Sequence, residues 1–235
     1  MVAVENKVWY LKRSRLFERA TSETVAHCEH LFTQMIYRNR SLVFGQGDIG
    51  RLVYLVKTGK VRIARATEDG KEITIAILGP GALFGEELLF CEGVRSTFAT
   101  CLEDSLLCMA RAADLYGLLT HHPLLAINVA KYLQEQRDDA MSIAEDFAYL
   151  KVPERLLKLF EKLALEFGVA STDGTLIDIQ LTHANIASLV GSTRETVSLE
   201  MTHMARDGRI EMLGRRILMP TSGRQRVPES TRLKA

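Results

Sequence analysis

An α+β fold is predicted for this chain: an N-terminal antiparallel β-roll, a long helix, and a C-terminal winged helix-turn-helix. Three observations predict it. Between Ser41 and Ala110 apolar residues recur with period two, in runs broken by turn residues. After Pro123 they recur on a seven-residue repeat, and after Thr182 two short capped helices meet at a glycine.

Size and composition set the frame. The chain has 235 residues, 47% hydrophobic and 25% charged, which suits a folded protein with real cores and argues against wholesale disorder. No apolar run reaches the roughly 18 residues of a membrane span. Lys7, Lys12 and Arg13 break up the first apolar stretch, so no signal peptide is expected and the protein is read as cytoplasmic, with no membrane partner. The four cysteines, Cys28, Cys91, Cys101 and Cys108, are too sparse for a disulfide scaffold and none forms a C-x-x-C pair. The net charge is only +1, but it is unevenly distributed. From Thr182 onward nine basic residues face five acidic ones, leaving the rest of the chain slightly acidic, which is the asymmetry of a chain whose one end meets a polyanion.

The elements follow in order. The first forty residues, with Leu16, Phe17, Val25, Leu31, Phe32 and Met35 at spacings of three and four, read as short amphipathic helices. Strands are expected around Leu42 and Phe44, Leu52 to Val56, Val61 and Ile63, Ile73 to Ile77, and Ser96 to Met109. Gly45-Gln46-Gly47-Asp48, Thr58-Gly59, Glu68-Asp69-Gly70 and Gly79-Pro80-Gly81 punctuate them at the spacing of an antiparallel barrel or sandwich. Cys91, Cys101 and Cys108 fall mostly in apolar strand context and are expected buried and inert. A short helix over Arg111 to Thr120 follows, and Pro123 opens a long one at its first position. Along it Ala126, Val129, Leu133, Gln136, Ala140, Ile143, Phe147 and Leu150 advance by alternating threes and fours, a heptad seam suited to pairing two such helices in a parallel homodimer. The alternative is a helix lying on its own β-domain. Val152-Pro153 ends it and starts another helix, Glu154 to Phe167, stopped by Gly168. The expected organisation is therefore a β-roll over 1–122, a dimerisation helix over 123–150, a winged domain over 151–221 and a flexible basic tail over 222–235.

The most specific chemistry lies between Thr182 and Asp207. Thr182 caps one helix, Gly191 stops it, and Ser192-Thr193 caps the next, from Arg194 to Asp207. A helix in this position lies in the major groove with its N-terminal side chains at the base edges. There Arg194 can fork onto guanine O6 and N7, Glu195 can accept from cytosine N4, and Ser198 lies one turn along. Thr182, Ser192 and Thr193 offer hydroxyls and helix-end amides to phosphates. A hairpin follows, with Ile210, Met212, Ile217 and Met219 expected inward and Arg215 and Arg216 able to approach the DNA backbone. The alternative is a helical hairpin whose Arg194 and Glu195 are only a solvated face. A second constellation, Phe84-Gly85-Glu86-Glu87-Leu88-Leu89-Phe90 and then Gly93-Val94-Arg95-Ser96-Thr97, has the parts of a nucleotide pocket. A glycine turn offers amides to an anion, Glu86 can accept from a sugar hydroxyl, Glu87 stands beside it, and Arg95 with Ser96 can clamp a phosphate. Gly79-x-Gly81 running on to Gly85 does not match G-x-G-x-x-G, and no nucleophile-base pair, metal-ligand spacing or phosphate-transfer loop is present, so an enzyme is not expected.

Leu189-Val190-Gly191-Ser192 followed by Thr193-Arg194-Glu195-Thr196-Val197-Ser198 resembles the recognition helix of the cyclic-AMP receptor protein and fumarate-nitrate reduction regulator (CRP/FNR) family of bacterial transcription factors. The resemblance runs from about residue 16 to 220. It implies a homodimer on palindromic duplex DNA with TGTGA-like half-sites, read by Arg194 and Glu195, and RNA polymerase as a further partner. It departs at Leu199, where many members carry a second arginine. Gly85-Glu86, nine positions before Arg95-Ser96, is similar to the family's phosphate-binding cassette; the resemblance implies cyclic AMP as effector, with Gly85 and Glu86 at the ribose and Arg95 and Ser96 at the cyclic phosphate. Where cyclic-AMP-dependent members hold the purine with polar side chains, this chain has Ala140 and Met141, so a cassette that is structural or otherwise occupied stays open. A 2-oxoglutarate-responsive, redox-responsive or effector-independent regulator, and a cyclic-nucleotide-binding subunit of an enzyme, are the other readings. With Cys28 the one N-terminal cysteine, no iron-sulfur cluster is expected; His27, His30, His121, His122 and Cys91 show no diagnostic spacing, so neither haem nor metal is expected.

Overall fold

A computed structural model describes residues 7–91 and 93–221. The expected basic tail, 222–235, lies outside the described residues. The chain divides into two compact units, Met1–Ala144 and Glu145–Ala235.

The first unit opens with two short helices, α1 (Lys7–Lys12) and α2 (Ser22–Cys28), the latter capped by the Thr21 hydroxyl accepting from Thr24 N–H. Eight strands follow: β1 (Thr33–Tyr37), β2 (Leu42–Phe44), β3 (Leu52–Thr58), β4 (Val61–Ala66), β5 (Glu72–Leu78), β6 (Leu83–Phe84), β7 (Phe98–Cys101) and β8 (Ser105–Arg111). They form two antiparallel sheets, ordered β1-β8-β3-β6 and β2-β7-β4-β5. One core lies between the sheets, joining Tyr54, Val56, Phe84 and Leu107 of the first to Phe44, Val61, Leu78 and Ala99 of the second. On the other face of the first sheet Val53, Leu55, Cys108 and Ala110 meet the helices. Both faces of β3 are thus buried, which explains why Leu52 to Val56 reads as an unbroken apolar run rather than an alternation. β1 corrects the expectation of a helical start through Met35. Its Thr-Gln-Met-Ile-Tyr sequence pairs residue for residue with β8 as an edge strand, leaving Met35 and Ile36 exposed.

Helices α3 (Ala112–His121) and α4 (Pro123–Tyr149) complete the roll. Leu125, Asn128, Val129 and Tyr132 of α4 are buried in the first unit. Asn128 donates to the carbonyls of Leu16 and Glu18, and the Tyr132 hydroxyl donates to Leu83 O at 2.6 Å. The N-terminal half of this helix therefore lies on its own β-domain, and Val129, expected in the paired seam, is 2% exposed and packs into the β-roll. Of the other seam residues, Leu133 packs partly against the same core and Gln136 donates to the Tyr132 hydroxyl at 2.8 Å. Ala140 and Phe147 are exposed and Ile143 and Leu150 half-buried.

The second unit begins with the end of α4 and continues with α5 (Val152–Phe167), whose start is fixed by the Glu154 carboxylate accepting from Lys151 N–H. Its Leu156, Phe160 and Leu163 are buried. Strands β9 (Gly168–Ser171) and β10 (Gly174–Ile177) form a hairpin. Then come α6 (His183–Val190), α7 (Arg194–Arg206), β11 (Glu211–Leu213) and β12 (Arg216–Pro220), in a sheet ordered β11-β12-β10-β9. The expected strand to Leu181 stops at Ile177. Ile177, Ile179 and Leu181 keep alternate burial, yet ladder pairing extends only over Gly174–Ile177. In the β11-β12 hairpin Met212 is 40% exposed while Leu218 is buried, the reverse of the expected inward Met212, because β11 is the sheet edge and covers little of its own length.

Candidate functional site

The C-terminal site is built from two caps and a glycine. Thr182 accepts from Asn185 N–H, and the Asn185 amide oxygen accepts in turn from Thr182 N–H, so a reciprocal box fixes the start of α6. Gly191 ends it with φ +58, where a Cβ would stand 3.0 Å from the Phe147 ring. Thr193 then caps α7 through Thr196 N–H. Ile186, Ala187 and Val190 of α6 and Val197, Met201 and Met204 of α7 are buried and hold the two helices together. This leaves Thr193, Arg194 and Glu195 exposed at the start of α7, with Ser192 half-buried before them.

A cleft of about 460 Å³ is lined by Thr182, His183 and Ala184 at the start of α6, Arg194 of α7, and Gly214 and Arg215 at the hairpin tip. Three of the eight residues singled out from sequence, Thr182, Arg194 and Arg215, thus line one concave surface. Arg216 is exposed but ion-paired to Asp178 at 3.1 Å. Ser198 is drawn the other way, sharing a 2.6 Å hydrogen bond with His183 Nδ1 that links α7 to α6. His183, which the sequence reading passed over, is therefore part of this site.

In the β-roll, Gly85 has φ +74 and starts a single helical turn, Glu86–Leu89. Arg95 is 2% exposed, and its guanidinium fills the space that side chains at Gly50 and Gly85 would need. Its Nη1 donates to Gly85 O at 3.2 Å and pairs with Glu87 Oε1 at 2.7 Å, and its Nη2 donates to Leu52 O. The Phe44 ring lies 4.1 Å from the guanidinium carbon, with Tyr54 beyond it. Among the described residues the buried Arg95 Nε has no partner. Such an orphaned donor in a buried cation is the kind of group an anion satisfies. Ser96, one residue on, is exposed.

Glu86 is the titratable oddity of this site. Burial pushes its carboxyl up to about 7, with the neighbouring Glu87 charge adding to the rise and Arg95 opposing it. Burial raises the Tyr132 hydroxyl above its ordinary range, with the nearby Glu86 carboxylate adding to the rise, so Tyr132 stays protonated and donates to Leu83 O. Tyr132, Phe44 and Tyr54 were missed as site residues because each reads as ordinary core. Cys91 corrects another expectation: it is exposed, whereas Cys28, Cys101 and Cys108 are buried and burial raises the Cys28 and Cys101 thiols. His27, His30, His121 and His122 do gather, around a cavity of about 250 Å³, although among the described residues no three ligand-type side chains are placed to hold a metal ion.

Residues 34–122 match the cyclic nucleotide-binding domain and residues 151–221 the Crp-like helix-turn-helix domain. The chain is 35% identical over 202 residues to the cyclic AMP receptor protein of Thermus thermophilus, spanning 86% of this chain and 90% of that one. The chain belongs to the CRP/FNR family of transcription regulators. The regulator is also 32% identical over 159 residues to the global nitrogen regulator of a Synechocystis strain, covering 66% of this chain and 70% of that one. Its fold is that of the c-di-GMP responsive global regulator CLP of Xanthomonas campestris, with a TM-score of 0.77 at 22% identity over 86% of this chain and all of that one. The regulator thus carries a cyclic nucleotide-binding domain and a DNA-binding helix-turn-helix, and no helix among its described residues is long and apolar enough to cross a membrane.

Proposed function

We propose that this regulator binds a palindromic duplex as a homodimer, that α7 reads the half-sites, and that cyclic AMP in the β-roll cassette controls the binding. The observation that carries the effector part is Arg95: a buried cation with an unpartnered Nε, walled by Gly50, Gly85 and the Phe44 ring. Gly85 and Glu86 would meet the ribose and Arg95 and Ser96 the cyclic phosphate. A domain match to cyclic nucleotide-binding proteins and 35% identity to a cyclic AMP receptor protein support the same ligand class.

The DNA part rests on the capped start of α7. Arg194 and Glu195 contact base edges in TGTGA-like half-sites, while Thr182, Ser192, Thr193, Arg215 and Arg216 contact phosphates around the cleft. Ser198 and His183 together set the tilt of α7 on α6. The face of α4 beyond Leu133, through Gln136, Ala140, Ile143 and Phe147 and on to Leu150 just past its end, pairs with its copy. A shift in that pairing changes the spacing of two recognition helices that must fit half-sites about 34 Å apart, and the bound regulator then meets RNA polymerase. The Tyr132 hydroxyl of α4 donates to Leu83 O, two residues before Gly85, and this contact is the route by which the cassette biases the pairing helix. The test is sequence-specific duplex binding with and without cyclic AMP, using Arg194→Ala and Arg95→Ala. Loss of base discrimination in the first and of the nucleotide response in the second are expected. A nucleotide response that survives Arg95→Ala would overturn the effector assignment.

A further inference from the structure

α7 turns about 100° per residue, so the side opposite its buried Val197, Met201 and Met204 is occupied by Glu195, Leu199, Thr202 and Arg206. All four are exposed. Three are polar. Leu199 is the exception, 56% exposed in the middle of the outward stripe, one turn after Glu195. An isolated exposed leucine needs no explanation on an ordinary surface. On the proposed docking of α7 this face enters the major groove, where base edges lie within its reach.

We infer that Leu199 is a specificity-determining residue that reads the 5-methyl group of a thymine in each half-site. The argument is one of exclusion as well as fit. In the major groove guanine presents O6 and N7, adenine N7 and the N6 amino group, and cytosine the N4 amino group. A leucine pressed on any of these displaces water from a polar group and returns no hydrogen bond, which weakens binding. Thymine alone among the four bases offers an apolar group at the same depth. Leu199 is about 6 Å along α7 from Glu195, so the thymine lies within one or two base pairs of the base that Glu195 contacts. This inference rests on DNA binding through α7.

The experiment starts from duplexes selected by the full-length protein from a random library. In the selected site each half-site thymine is replaced in turn by deoxyuridine, which removes only the methyl group, and affinity is read by fluorescence anisotropy. At one position per half-site the unmodified protein should weaken about fourfold, the worth of one buried methyl group. Leu199→Ala should bind the thymine and deoxyuridine duplexes alike, and Leu199→Met, which keeps an apolar reach, should retain a preference. An unmodified protein indifferent to deoxyuridine at every position, or a Leu199→Ala protein as sensitive as the unmodified one, would overturn the inference while leaving DNA binding intact. Failure to enrich any duplex would instead break the reading on which it rests.

Discussion

Replacing Glu86 by glutamine should make the protein more stable at alkaline pH and leave it nearly unchanged at acidic pH. The carboxyl is pushed from about 4.5 to about 7 in the folded chain, mainly by burial and secondarily by the charge of Glu87. Between those two values the folded state holds a proton that the unfolded state has released, so stability falls as pH rises through this window. Above pH 7 the loss is complete and amounts to about 3 kcal/mol, at roughly 1.4 kcal/mol per pH unit of displacement. Glutamine keeps the shape and has no charge to bury, so the gap between variant and native chain should open from near zero at pH 4.5 to about 3 kcal/mol at pH 8. Urea unfolding of both proteins at a series of pH values measures it. A gap that is constant with pH, or that closes toward pH 8, would refute the account of Glu86 as a carboxylate held in an unfavourable site.

Other outcomes follow from the same geometry. Arg194→Ala should lose about 1–3 kcal/mol at one base position of the half-site, whereas Arg215→Ala should weaken all sequences alike and lower the salt dependence of binding; duplex panels at several salt concentrations separate the two. Gly191→Ala should destabilise the second unit, since it forces a side chain into the left-handed region and against the Phe147 ring, and thermal melting should show it. Glu87→Gln should lower the melting temperature without ligand, because the buried Arg95 loses its charged partner. It should also bind cyclic AMP more tightly in calorimetry, since the cyclic phosphate no longer competes with a carboxylate for Nη1.

How far the sequence spoke depended on whether a residue's job was local. The caps at Thr182 and Thr193, the stop at Gly191 and the turn at Gly85 are decided by neighbours a few positions away, and they were legible with their boundaries. The strands β3, β4 and β5 were legible from their apolar runs, whereas β6 was not foreseen, Ser96 to Met109 divides into β7 and β8, and Ile73 and Ile75 of β5 are exposed. What escaped depended on partners distant along the chain. β1 looks helical until β8 offers it a ladder, and Met212 looks inward until the sheet is seen to end there. The heptad count on α4 followed one face, yet Leu125, Asn128, Val129 and Tyr132 form a second face that the β-roll claims first. Within the cassette, the spacing of Gly85-Glu86 and Arg95-Ser96 marked the place. It gave no sign that Glu87 would take the guanidinium, or that Phe44 and Tyr54 would lie against it.

The most direct test is a calorimetric titration of the full-length protein with cyclic AMP, repeated on Arg95→Ala and paired with duplex affinity at each end point. The account predicts saturable binding at about one nucleotide per chain, its loss in Arg95→Ala, and a change in duplex affinity between the free and saturated protein. Absence of heat in a protein that binds its duplex at full strength would contradict it and make the Arg95–Glu87 pair a structural element.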